Sequence, residues 1–353
     1  MTGAVLGSQA QDAVSSEELA QIVEVAREFA RAVPGKLWFA LDEQDKEAID
    51  RSWNELCEIG LERALLAEDA GGIGLADGML ATIVEALAVG DGGVALLMLG
   101  SNIALTSLPA PRLSELASGA RFCFVPVAGA RQDDPTAPKL VDGRVNGEAR
   151  FVLGAAGATG YVVACRDGDE TVLVELASDA AGLMCRELDD QLGLRGAKAA
   201  TLTFHDVPAT RVGGAEQAER ASVLLHAGIG AIARGAAQRA SELAHEYAEN
   251  RYQGGGPIII HGAVRDMLAR IDERRLGMAP PEAGPLELPQ ALARKIALSD
   301  AAVESTIDAV QVFGGMGYMH ETGVEKLMRD AKYCQLYPTP NWIAREALLA
   351  TQR

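Results

Sequence analysis

Two stretches of this 353-residue chain set residues capable of chemistry among glycines. In "RYQGGGPI", Arg251 leads into a run of three glycines after a long helical pattern. An arginine there either closes a helix beside a left-handed glycine turn or grips a phosphate through its planar fork of N–H donors. In "QVFGGMGYMHETGVEKLMRDAK", Gln311 is followed by Gly314, Gly315 and Gly317. A dinucleotide fingerprint requires a strand before its glycines. The segment before these, "AAVESTIDAVQVF", has helical periodicity, which argues against a Rossmann site. The cluster is either a tight helix-to-helix turn or a turn whose backbone N–H groups come close to a ligand. His205, His226, His245, His261 and His320 show no metal-ligand spacing, so no metal is expected. The chain has no GxSxG elbow, Walker loop or EF-hand loop.

The elements that must position these residues change character twice. Over residues 16–118 the pattern is helical: Leu19, Ile22, Val23 and Ala26 recur at helical spacing, and Ser15 and Ser16 before Glu17 and Glu18 mark a helix start. Over 119–213, short β-type runs such as "RFCFVPV" and "YVVACRDGDETVLVEL" alternate with DG, NG and GD turn signals, predicting a small antiparallel β domain. From 216 onward long helical patterns return, with "LGMAPPEAGPLELP" as a loop between two of them. The expected organisation is an N-terminal helical domain over 1–118, a central β domain over 119–215 and a C-terminal helical bundle over 216–353.

The 32 basic and 49 acidic residues give a net charge of −17. That excess excludes nucleic acid and anionic membrane as partners, and any anionic ligand needs local basic residues. Five scattered cysteines without a CxxC pair fit reduced thiols, not a disulfide framework. The N-terminal "MTGAVLGSQAQDAVSSEELA" has neither the basic region nor the apolar core of a targeting peptide. No apolar stretch reaches membrane-spanning length. A cytoplasmic protein is expected.

Together these stretches resemble the acyl-CoA dehydrogenase family over essentially the whole chain. "IGLERALLAEDAGGIGLADG" resembles its early loop, "VDGRVNGEARFVLGAAGATGYVVA" its β-domain core, and "LGLRGAKAATLTFHDVPATRVGG" the exit from that domain. "YAENRYQGGGPI" resembles the family's arginine–glycine motif, and "QVFGGMGYMHETGVEKLMRDAK" is the longest and most specific match. The resemblance implies a mainly α fold with a central β barrel-like domain and a C-terminal four-helix bundle. It also implies FAD as cofactor, an acyl-CoA thioester as substrate, and assembly as a dimer of dimers with itself or with a homologous subunit.

In this family a carboxylate removes the proton α to the thioester while the β-hydride passes to the flavin. Such a weak acid demands a well-placed base in a dry site. The resemblance puts the usual glutamate at Pro338, within "LYPTPNW", with Thr339 and Pro340 at the glycine and threonine that follow it. Some members carry the base on the first helix of the C-terminal domain; the matching position is Leu225, followed by His226 where an arginine often stands. Neither proline nor leucine takes a proton, and His226 is the one titratable residue close by. The flavin-ring side is reduced as well. "VPVAGARQDD" lacks the family's Thr-Glu pair, Phe151 keeps an aromatic but Leu153 replaces a hydroxyl residue, and Ala197 replaces a Ser or Thr. By contrast Arg251, Gln311 and the Gly314–Gly317 turn are intact, and in the family they hold the pyrophosphate and adenosine of a neighbouring subunit's FAD. Three readings follow: the base-lacking subunit of a heteromeric dehydrogenase, a homotetrameric enzyme with an unusual base, or a non-enzymatic relative.

Overall fold

The computed structural model describes residues 14–117, 119–127, 135–280, 284 and 286–350. The N-terminal stretch read as lacking a targeting signal lies outside them up to residue 13, as does the stretch 128–134 of "VPVAGARQDD". The N-terminal helices are α1 (Ser16–Ala32), α2 (Pro34–Asp42), α3 (Lys46–Glu58), α4 (Asp77–Ala88), α5 (Gly92–Leu105) and α6 (Ala110–Glu115). The start of α1 is fixed by a capping box between Ser15 and Glu18. Helix α5 is buried along nearly its whole length, so its side chains have no polar face.

Eight strands follow: β1 (Phe122–Val125), β2 (Lys139–Val141), β3 (Arg144–Val152), β4 (Gly160–Asp167), β5 (Glu170–Ala177), β6 (Leu183–Glu187), β7 (Ala200–Pro208) and β8 (Thr210–Gly213). They form one sheet in the order β6-β7-β3-β2-β4-β5-β8, with β1 pairing parallel to β4. The sheet is therefore mixed, since β2 also pairs parallel to β4, whereas the turn signals alone predict an antiparallel domain. Asp142 and Gly143 adopt positive φ in the two-residue loop joining β2 to β3, as a hairpin turn of that length demands.

The chain then enters α7 (Ala215–Asn250), a 36-residue helix. A two-residue ribbon, β9 (Tyr252–Gln253) with β10 (Gly256–Pro257), leads to α8 (Gly262–Gly277), α9 (Leu288–Phe313), α10 (Val324–Leu336) and α11 (Asn341–Ala350). Helix α7 is rich in alanine and glycine because other helices approach it closely. A Cβ on Gly228 would lie 2.3 Å from Leu99 of α5, and one on Gly235 would lie 2.7 Å from Ala88 of α4. One apolar core joins α5 to the front of α7, a second fills the β layer, and a third packs the rear of α7 against α8, α9 and α10. Buried Lys326 of α10 ties these parts together. Its ammonium lies 2.6 Å from Asp330 and 2.9 Å from Asp91 beside the start of α5, while the Leu194 N–H donates to Asp330 at 2.5 Å.

Candidate functional site

At its rear end α7 stops one residue before Arg251, whose carbonyl accepts from Ile258 N–H at 2.8 Å across the β9–β10 ribbon. Gly254 and Gly255, both at positive φ, form the tip of that ribbon. The Arg251 side chain is exposed and has no hydrogen-bond or ion-pair partner among the described residues. Helix α9 ends at the same corner, because the Phe313 ring stacks on Tyr247 with centroids 4.1 Å apart. That stack brings Gln311 and the glycine turn to the end of the bundle that carries Arg251. Gln311 is exposed and likewise without a side-chain partner among the described residues. Gly314 takes φ 60° and ψ −135°, a conformation favoured by glycine. No atom lies within 4 Å of where a Cβ on Gly314 or Gly315 would stand. Gly317 is buried against the backbone, with the Val310 carbonyl 2.3 Å from its Cβ position. A guanidinium, an amide and an open glycine turn thus wait at one corner, which fits an anionic, phosphate-bearing group.

The opposite pattern holds around Pro338. Helix α10 ends at Leu336, and Tyr337–Pro340 cross to α11. Pro338 is buried and offers no proton acceptor on its side chain. Beneath this crossing lies Lys295 of α9, fully buried. Its ammonium donates to the Gln335 carbonyl at 3.2 Å, the Thr339 carbonyl at 2.7 Å and Asn341 Oδ1 at 2.7 Å. Three acceptors match the three N–H bonds of an ammonium, although burial pulls its pKa down to about 8. Asn341 in turn donates to Ser299 Oγ at 3.0 Å and to Asp300 Oδ1 at 2.8 Å, where Gln335 also donates at 2.7 Å. Arg345 pairs with the other oxygen of Asp300.

His226 faces this crossing from α7. Its Nδ1 lies 2.7 Å from the Ser222 carbonyl and its Nε2 lies 3.4 Å from Thr339 Oγ1. Burial pushes its pKa down to about 4, with the Lys295 charge adding to the shift. The imidazole is therefore neutral at pH 7, with Nδ1–H donating to the carbonyl and the Nε2 lone pair turned toward the Thr339 hydroxyl. Leu225 beside it is core, 2% exposed. The structure thus brings His226, Leu225 and the 338–339 crossing together, but among the described residues it gathers no carboxylate onto them. None of the cavities of about 400, 560, 360 and 110 Å³ is lined by Leu225, His226 or Pro338. Sequence reasoning missed Lys295. The available signal was a lysine set at helical spacing between Leu292, Ile296 and Ser299, on a stripe that is otherwise buried.

On the β layer, Phe151 is 60% exposed and has φ 54°, a left-handed conformation rare for an aromatic. Leu153 and Ala197 are buried, and neither side chain carries a donor. Their backbones are linked, since Gly154 N–H donates to the Ala197 carbonyl at 2.7 Å. These positions pack against α5: Gly154 beside Leu97, and Gly93 beside Ala197. Helix α5 meets α7 near Gly228 and Ile232. From Ile232 to Arg251 there are 19 helical positions, about 28 Å. The Leu153–Ala197 region and the Arg251 corner therefore meet α7 at well separated points along its length. The exposed arginine, glutamine and open glycine turn suit a phosphate-bearing group such as the diphosphate of FAD, whereas Leu153 and Ala197 offer its ring no hydroxyl.

A third cluster looks metal-like. Asp42, His320 and Glu325 bring ligand atoms within 4.8 Å of one another. Arg329 already occupies it, donating to Asp42 at 2.6 Å and to Glu325 at 2.7 Å, so the positive charge is supplied by a side chain.

Helices before and after a β layer, with an arginine–glycine corner at the end of the long helix, define an acyl-CoA dehydrogenase type of fold. The structure of butyryl-CoA dehydrogenase from Megasphaera elsdenii matches with a TM-score of 0.81 at 24% identity, covering 97% of this chain and 100% of that one. An acyl-CoA dehydrogenase complexed with FAD from Bacillus anthracis matches with a TM-score of 0.81 at 21% identity, over 96% of this chain and 67% of that one. In sequence, the short-chain specific acyl-CoA dehydrogenase of Megasphaera elsdenii is 30% identical over 84% of this chain and 87% of its own length. The family models for the acyl-CoA dehydrogenase N-terminal and C-terminal domains match residues 16–110 and 214–350. The chain belongs to the acyl-CoA dehydrogenase family. Members are FAD-dependent oxidoreductases that act on the CH–CH bond of acyl-CoA thioesters. Among the described residues no helix is long and apolar enough to cross a membrane.

Proposed function

We propose that this chain is the base-lacking subunit of a heteromeric acyl-CoA dehydrogenase, lending the pyrophosphate-and-adenosine half of an FAD site to a homologous partner. FAD, when bound, supplies the hydride acceptor for α,β-dehydrogenation. The partner supplies the carboxylate and the ring contacts. This chain supplies Arg251 to hold phosphate, Gln311 to hydrogen-bond, and the Gly314–Gly317 turn to let the ligand come close. Phe151 presents an aromatic face outward.

One observation carries the reading. Among the described residues the side chains of Arg251 and Gln311 have no partner, whereas those around Pro338 are engaged with one another. An enzyme relying on His226 as base would need its Nε2 directed at substrate, and it is directed at Thr339. The test is flavin stoichiometry. The complex co-purified from its native host should hold one FAD per heterodimer, and the isolated chain should be colourless and inactive. A homo-oligomer of this chain alone that is fully flavinated and active would refute the proposal.

A further inference from the structure

Arg121 stands at the entry to β1, next to Phe122, in a chain whose net charge is −17. It is 7% exposed. The segment before it is pinned by Trp53, whose indole N–H donates to the Gly119 carbonyl at 2.8 Å. A guanidinium carries five N–H donors. One Nη2–H reaches the Ala156 carbonyl at 2.9 Å, and the buried Nε has no partner among the described residues. Among the described residues the nearest carboxylate oxygen, on Asp50, is 3.9 Å from Nη1, beyond hydrogen-bond reach, and the other oxygen of Asp50 pairs with Lys46. A charge buried without a close counter-ion is costly.

The surroundings are arranged for this guanidinium. Gly157 sits at φ 74°, and a Cβ there would lie 2.2 Å from Arg121 Nη2. A cavity of about 110 Å³ adjoins it, bounded by α3, β1 and the loop before β7. Lys46 and Lys198 line it with Arg121, against Asp50 and Glu187. Lys198 pairs with Glu187 at 2.6 Å, so the two lysines and two carboxylates balance and the arginine is left over. That volume holds roughly three to four waters, too little for a dinucleotide or a coenzyme A.

We propose that this cavity binds a tetrahedral oxyanion, free or as the terminal phosphate of a larger molecule, through the free N–H donors of Arg121 with Lys198 at the rim. The site lies between the N-terminal helices and the β layer and uses neither Arg251 nor Gln311. Thermal melting of the full chain in sodium phosphate, against sodium chloride at matched ionic strength, tests it. A saturable rise in Tm specific to phosphate is expected. Arg121→Gln should abolish that rise, and Lys198→Gln should weaken the apparent Kd at least fivefold. Should Arg121→Gln fail to fold, Lys198→Gln decides alone. Competition by adenosine 5′-monophosphate against inorganic phosphate would identify a terminal phosphate as the ligand, and its absence the free ion. A Tm that responds equally to chloride and phosphate, or a phosphate response unchanged in Lys198→Gln, would overturn the site and leave the cavity to water.

Discussion

The two ends of α7 treat polar atoms in opposite ways. A third of the way along, His226 has both ring nitrogens occupied, and the crossing it faces is held from below by a lysine with three acceptors. One residue past its end, Arg251 has no partner among the described residues, and Gln311 across the corner has none either. Both regions are glycine- or proline-marked turns between helices, so the difference is not one of local backbone. A polar group consumed by its own chain contributes stability and cannot also serve a ligand. A group left open contributes little to stability and is available for binding. On this contrast, mutations at the Pro338 end should change folding, and mutations at the Arg251 end should change ligand content.

The largest expected effect is at Lys295. Lys295→Met removes the donor from the Gln335 and Thr339 carbonyls and from Asn341 Oδ1, loosening the Asn341 side chain that donates to Asp300. The loss should be about 2–4 kcal/mol, because three acceptors lose a hydrogen bond from a charged donor while the cost of burying that charge is also removed. Urea denaturation measures it, and a loss below about 1 kcal/mol would show that helix packing alone fixes the crossing.

Next is the pH dependence contributed by His226. Its folded pKa of about 4 lies below the ordinary histidine value of 6.5, so the unfolded chain binds the extra proton first. This contribution is fully present above pH 6.5 and is lost as the pH falls toward 4, by about 3 kcal/mol in all. In His226→Gln the pH-dependence of stability across that window should flatten. An unchanged slope would place the acid sensitivity elsewhere.

Arg251→Ala tests the other end. Loss of charge-assisted hydrogen bonds worth about 1.5–3 kcal/mol should lower FAD retention in the assembled complex tenfold or more. The melting temperature of the isolated chain should stay within a degree or two of the parent. A large fall in Tm with unchanged flavin would make the arginine a helix-end residue and erase the contrast. Smallest of all is the expected gain from Pro338→Glu. The carboxylate alone should restore neither colour nor turnover to the isolated chain, because Leu153 and Ala197 still lack their hydroxyls. Activity in that single variant would show that the base was the one missing part.

The sequence showed the order of helices, sheet and helices because each periodicity is local. It also singled out the Arg251 corner, where the informative residues lie in two short runs. The parallel pairing of β1 and β2 with β4 was hidden, since register between distant strands leaves no mark in either one. Lys295 was hidden for a related reason. Its partners are 40 to 46 positions away and include main-chain carbonyls, which every residue has. The contact between His226 and Thr339 spans 113 positions and depends on how α7 and the crossing pack.

The 36-residue span of α7 also limits how this gene can change length. Inserting one residue between Gly235 and Asn250 would turn everything beyond it by about 100° and advance it by about 1.5 Å. Arg251 would then swing away from Gln311, while the contacts of α7 with α4 and α5 stayed in place. Deletions and insertions should therefore be tolerated in the connection between α8 and α9 and rejected in the rear half of α7. A library of single-codon insertions, sorted on flavin bound to the complex, would trace that ruler along the chain.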